Sequence, residues 1–119
     1  MKIVPYSRAD RIKKLLHREV ANIIFELKDP RAKNVTVTEV EVSKDLRNAK
    51  VYYTVLNKDE RTHVSSMFEV AKGYIRSRVA ERLGLRHAIN IEFVYDKFVE
   101  RTSRVLFLLD RIKDEESKK

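Results

Sequence analysis

Seven apolar residues, Ile12, Leu15, Leu16, Val20, Ile23, Ile24 and Leu27, recur at helical spacing, and immediately afterwards the apolar period changes from about 3.6 to 2. That switch constrains the chain more than any other feature. A helix with one apolar stripe cannot stay folded alone, and a strand with one apolar face needs a cover, so the two signals together predict a helix laid on a sheet. Ser7 with Asp10 three positions on predicts a capping box at the helix start, and Pro30 predicts that the helix stops near Lys28.

The period-2 segments are 35–42 and 49–56, joined by the polar run Ser43-Lys44-Asp45-Leu46-Arg47-Asn48. They read as an antiparallel hairpin. Ala49, Val51, Tyr53 and Val55 share one face, whereas in the first strand the apolar set changes phase between Val37 and Val40, which predicts a bulge near Thr38 and Glu39. From Val64 to Leu83 the helical period returns, with Thr62 as the expected N-cap, and it runs through Gly73. Ile89, Ile91, Phe93 and Tyr95 then alternate as a third strand, and Val105, Leu106, Leu109 and Ile112 predict a final helix. The expected fold is α+β, a three-stranded sheet covered by helices. Residues 1–113 are expected to form one domain and 114–119 a disordered tail.

Composition removes whole classes of function. Among 119 residues there is no Cys, which excludes disulfides, thiol nucleophiles and Cys-based metal sites. The two glycines, Gly73 and Gly84, stand eleven positions apart, so no phosphate-cradling loop of the P-loop, dinucleotide-binding or Gly-x-x-Gly type can be written. No apolar run approaches the roughly 20 residues needed to span a bilayer, and the expectation is a soluble, cytoplasmic protein. His17, His63 and His87 show no ligand spacing, so no metal or cofactor is expected. Asp29, Asp45 and Asp96 sit beside turns, where aspartate satisfies backbone groups, and that duty outranks acid or base chemistry. No small-molecule substrate is indicated, and the protein is expected not to be an enzyme.

The formal net charge is +8, and residues 1–28 and 61–95, the helical regions, carry most of it, while 29–60 are neutral. Arg11, Lys14 and Arg18 fall at i, i+3 and i+7 away from the apolar stripe, with Arg8 just before them. They predict one basic ridge. Lys72, Arg76, Arg78, Arg82 and Arg86 predict a second patch around and after Gly73. Single exposed cations are ordinary, but clustered ones attract phosphate backbones through counterion release, so RNA is the favoured partner. An anionic membrane is a weaker rival, because the apolar face of the first helix has a sheet to cover. A protein-interaction module with an incidentally basic surface is the other alternative. Tyr52 and Tyr74 are candidates for base stacking, whereas Tyr53 and Tyr95 share phase with apolar neighbours and read as core.

Gly73 inside a helical pattern costs about 1 kcal/mol relative to Ala, so it marks either close packing or a kink that opens backbone to a ligand. Ala71-Lys72-Gly73-Tyr74-Ile75-Arg76 resembles a motif of the ribosome-binding factor A family of bacterial small-subunit maturation factors. The likeness extends over Ser7-Arg8-Ala9-Asp10-Arg11-Ile12, Asp29-Pro30-Arg31, the segment Val35 to Ser43, Asp45-Leu46, Ala49-Lys50-Val51-Tyr52, Leu85-Arg86 and Phe93 with Asp96. It covers about residues 5 to 112.

The resemblance implies a KH-like domain in the order α-β-β-α-kink-α-β plus a C-terminal helix, with the family's kink at Ala71 and Gly73 replacing the Gly-x-x-Gly clamp of ordinary KH domains. It further implies binding to the immature 30S subunit and its 16S rRNA, help with late maturation including the 5′ end, and a monomer when free. The family commonly has a proline before the third strand, where Ile89 stands here.

Overall fold

The computed structural model of the chain describes residues 7–98. The expected C-terminal helix and the tail at 114–119 lie outside them. Helix α1 spans Arg8–Glu26, followed by a 3-10 turn at Pro30–Ala32, strands β1 (Val35–Val42) and β2 (Asn48–Val55), a second 3-10 turn at Lys58–Glu60, helix α2 (Arg61–Leu83) and strand β3 (Asn90–Tyr95). The sheet order is β1-β2-β3, with β1 and β2 antiparallel and β2 and β3 parallel. A parallel neighbour needs a crossover connection, and α2 supplies it.

The capping box forms as expected: Asp10 N–H donates to Ser7 Oγ, and Ser7 N–H donates back to Asp10 Oδ2, both at 3.1 Å. Those bonds hold the Asp10 carboxyl below the usual range and place its charge at the positive end of α1. The helix ends at Glu26, ahead of Pro30, because Asp29 caps the following 3-10 turn by accepting the Arg31 N–H. At the start of α2 the expectation fails. Thr62 lies inside the helix, which opens at Arg61 directly from the 3-10 turn, without a side-chain cap.

The predicted bulge is present, since Val37 pairs with Tyr53 and Glu39 with Tyr52, leaving Thr38 as the extra residue. It keeps both Val37 and Val40 buried on the core side. Thr38 Oγ1 donates to Asp96 Oδ2 at 2.6 Å, so the bulge is tied to the end of β3.

Both helices cover one face of the sheet. Leu16, Val20, Ile23 and Ile24 of α1 meet Val64, Met67, Phe68, Ile75 and Val79 of α2 over Val40, Val51, Tyr53 and Ile91. Tyr53 packs edge-on against Phe68 at 4.8 Å, and Phe68 stacks on Phe93 at 4.1 Å. Tyr53 is buried as expected, and Tyr95 is half-buried under the Arg61 guanidinium, 4.0 Å above its ring. Truncating a fully buried side chain such as Leu16 or Ile75 to Ala is expected to cost about 2–5 kcal/mol. The open face of the sheet carries Glu41, Lys50 and Glu92 in neighbouring register, a mixed-charge surface that gives a phosphate backbone no net attraction.

α2 is one unbroken helix from Arg61 to Leu83. The expected division into two helices at Gly73 is therefore corrected: among the described residues the left-handed glycine is Gly84, φ 63°, which ends α2 and turns the chain toward β3.

Candidate nucleic-acid interface

Because the apolar stripe of α1 is buried, its polar side is fixed outward, and Arg8, Arg11, Lys14 and Arg18 all lie exposed along it. Arg18 approaches Glu19 at 3.6 Å, an ion pair in water that contributes little and does not hold the guanidinium. Arg8 and Arg11 form no ion pair or side-chain hydrogen bond among the described residues. Lys13, one step around the helix, is taken by Glu39 of the bulge at 3.2 Å. The basic ridge stands as the sequence predicts.

The cations of the second patch are unequally engaged. Arg76 is half-buried and donates Nε–H to the Ile89 carbonyl at 3.2 Å, fastening α2 to the approach to β3, where the family commonly has proline. Arg78 pairs with Glu81 at 3.1 Å. Arg82 bridges the helices, donating Nη1–H to Glu19 at 3.2 Å and Nη2–H to Glu26. Arg76 and Arg82 tie separate elements together, whereas Arg78–Glu81 is an exposed pair within one helix that contributes little; a guanidinium engaged by a carboxylate or a carbonyl has fewer donors left for phosphate, so charge alone overstates how available these three are. Lys72 is half-buried beside Glu69, and Arg86 is exposed beyond Gly84.

Gly73 is exposed, and a Cβ added to it would meet nothing within 4 Å. The free backbone amides expected at a kink are absent, because residues on either side of Gly73 belong to the same helix. Ala71 packs half-buried against the core. Val70 and Tyr74, one turn apart, are 81% and 54% exposed and flank Gly73 on the outer side of α2. Tyr74 thus keeps an accessible ring, whereas Tyr52 lies half-buried with its hydroxyl donating to Glu41 at 3.3 Å.

What the linear reading missed is a groove of about 530 Å³ where the start of α1, the β1–β2 loop and the segment after α2 converge. Arg8, Arg47 and Arg86 line it together with His87, Asp45 and Asn90. Arg47 carries no signal in its own segment, which is electrically neutral; only the sheet register brings the loop beside Arg86. The loop is tightly built. Asp45 Oδ1 accepts from Ser43 Oγ at 2.6 Å and from the Arg47 N–H at 3.1 Å, and these bonds depress the Asp45 carboxyl. Leu46, between them, has φ 60°, a left-handed conformation that costs a non-glycine residue about 1–2 kcal/mol.

Asp29 and Asp96 are bound within the fold, Asp96 accepting from the Thr38 hydroxyl. Asp29 accepts Nε–H and Nη2–H from Arg31, at 3.0 and 2.6 Å, and this pairing with the Arg31 backbone bond lowers its carboxyl to about 2. Among the described residues no group of three or more His, Asp or Glu is placed to hold a metal ion. No helix among them is long and apolar enough to cross a membrane.

Comparison with known proteins places the chain firmly. The family model described as ribosome-binding factor A matches residues 8–109. The ribosome-binding factor A of Thermodesulfovibrio yellowstonii is 44% identical over 110 residues, covering 92% of this chain and 93% of that protein. Among solved structures, a Thermotoga maritima putative ribosome-binding factor A is similar at 33% identity and a TM-score of 0.69, covering 82% of this chain and 94% of that one. A Thermus thermophilus ribosome-binding factor A homology model, fitted into a cryo-EM map of its 30S complex, matches at 27% identity and a TM-score of 0.61 and covers 71% and 90%. The architecture is the KH-like α+β fold that the resemblance implied.

Proposed function

Since this chain belongs to the ribosome-binding factor A family, we propose that it binds the immature 30S ribosomal subunit in the bacterial cytoplasm, through 16S rRNA, and assists late maturation including processing of the 5′ end. The observation that carries this reading is the coincidence of the family match with a basic ridge on α1, Arg8, Arg11, Lys14 and Arg18, exposed on a helix whose other side is buried. Without a Gly-x-x-Gly clamp, affinity rests on phosphate and shape contacts along that ridge.

The protein acts by binding, as a monomer when free. A binding factor shifts the subunit toward one conformation only by its differential affinity for that conformation, and separate nucleases then cut the RNA. Purified protein is expected to hydrolyse neither GTP, ATP nor RNA. Sedimentation of the tagged protein with ribosomal subunits from growing cells tests the reading: co-migration with 30S particles, abolished steeply as salt rises, is expected. Migration independent of subunits, or binding indifferent to salt, would favour an apolar protein-docking role instead.

A further inference from the structure

Resting on the RNA-binding reading, we propose that the groove lined by Arg8, Arg47 and Arg86 seats a phosphodiester of the RNA backbone. Three chain segments far apart in sequence deliver one guanidinium each to the same concave site. None of the three forms an ion pair or donates a side-chain hydrogen bond among the described residues, in contrast to Arg76, Arg78 and Arg82 on the neighbouring helix.

The carboxylate in the lining, Asp45, faces its own turn, with Oδ1 accepting from Ser43 and from the Arg47 backbone. It shapes the loop and leaves the groove with an excess of positive charge. The left-handed Leu46 directly precedes Arg47, and Asn90 N–H donates to the Arg47 carbonyl at 2.8 Å, so the backbone that carries Arg47 is held from both sides. Local strain retained in a loop that ends on an unpaired arginine fits a positioning role.

The chemistry selects the ligand class. Guanidinium forks donate paired hydrogen bonds to phosphate oxygens, and three of them match an anion with several acceptors. Among the described residues no Phe, Tyr or Trp lines the groove and its one ring is His87, so three guanidinium groups outweigh stacking and the interaction is chiefly with the backbone. Arg8 also begins the α1 ridge, so a strand seated in the groove continues onto Arg11 one turn away.

The test measures binding of the full chain to protein-free 16S rRNA across a salt series, with circular dichroism confirming that each variant is folded. Arg47→Ala and Arg86→Ala are each expected to weaken binding roughly tenfold. Each is also expected to make the slope of log affinity against log salt shallower by roughly 0.7–0.9. Arg47→Lys, which keeps the charge but removes the fork, is expected to restore the slope and only part of the affinity. Lys44→Ala, in the same loop but outside the groove, is expected to stay within about twofold of the parent.

If the parent binds steeply with salt and the groove variants bind equally well, the groove assignment falls while the RNA reading stands. If the parent itself does not bind, both fall. A parallel titration with inorganic phosphate at constant ionic strength, followed by amide shifts of Arg47 and Arg86, separates the sources of the anion. Millimolar, weak shifts that RNA displaces support the phosphodiester; tight phosphate binding that RNA does not compete with would make this a free-anion site and overturn the proposal.

Discussion

Arg82, next to the last residue of α2, places Nη1 3.2 Å from Oε2 of Glu19, a residue 63 positions earlier in the chain. The bond closes a clasp, since the other nitrogen of the same guanidinium reaches Glu26 at the end of α1. Together the two carboxylates raise the Arg82 pKa, the Glu26 bond contributing most. An arginine that looks in sequence like part of a nucleic-acid patch is thereby a joint between helices.

From the clasp, Arg82→Gln is expected to lower Tm by a few degrees and to leave the affinity for 16S rRNA and its salt slope unchanged. Thermal unfolding alongside the salt series checks both halves. A drop in slope comparable to that of the groove variants would return Arg82 to the interface.

Reversing the ridge tests the opposite case. The triple change Arg11→Glu, Lys14→Glu and Arg18→Glu touches exposed positions on α1 and is expected to leave the fold intact. Binding to small subunits is expected to fall strongly, and the salt slope to become shallower by roughly 0.7–0.9 for every RNA phosphate that the variant no longer neutralises. A folded triple variant with parental affinity would remove the ridge from the interface.

The two glycines are expected to respond with opposite sign. At Gly73 the helix is unbroken and a Cβ meets nothing, so Gly73→Ala is expected to raise stability by about 0.5–1 kcal/mol. At Gly84 the φ of 63° is left-handed, so Gly84→Ala is expected to cost about 1–2 kcal/mol. Denaturant unfolding measures both. Gly73 lies exposed beside Tyr74, and if RNA approaches the helix there the more stable Gly73→Ala variant is expected to bind rRNA less tightly. Equal affinity would make Gly73 a neutral position.

Asp29 sets a contribution to acid stability. Its carboxyl titrates at about 2 in the folded chain against 3.8 for the free side chain, so the unfolded state takes up the proton first and acid favours unfolding. The contribution is complete above about pH 4 and disappears as pH falls toward 2. Asn at position 29 retains a capping oxygen but cannot titrate, so Asp29→Asn is expected to flatten that part of the profile, measured as Tm at about pH 5, 3 and 2. A parental profile unchanged by the substitution would show that the Arg31 pairing does not persist in solution.

Much of the fold was legible because its causes are local. The stripe from Ile12 to Leu27, the Ser7 and Asp10 capping box, the alternation in β1 and β2 and the phase change that becomes the Thr38 bulge all depend on residues a few positions apart. Thr62 misled, since a hydroxyl before an apolar run is a good N-cap signal but a 3-10 turn continuing straight into α2 leaves no N-cap for it to occupy. Gly73 misled for a related reason: propensity disfavours glycine in a helix by only about 1 kcal/mol, which the packing of Met67, Phe68, Ile75 and Val79 on either side overrides.

By itself the sequence determined the two-layer α+β architecture, the basic character of the surface, the outward face of α1 and, through motifs spread along most of the chain, the family. Tertiary structure alone decided which cations are available. Arg76, Arg78 and Arg82 are engaged by a carbonyl and three carboxylates, two of them 63 and 56 positions away, while Arg47, from a neutral segment, joins Arg8 and Arg86 in one groove. Charge is a property of composition, but whether a guanidinium is free to meet a phosphate depends on which acceptors the fold brings within about 3 Å of it, and that distance is set by packing between elements that the linear chain keeps apart.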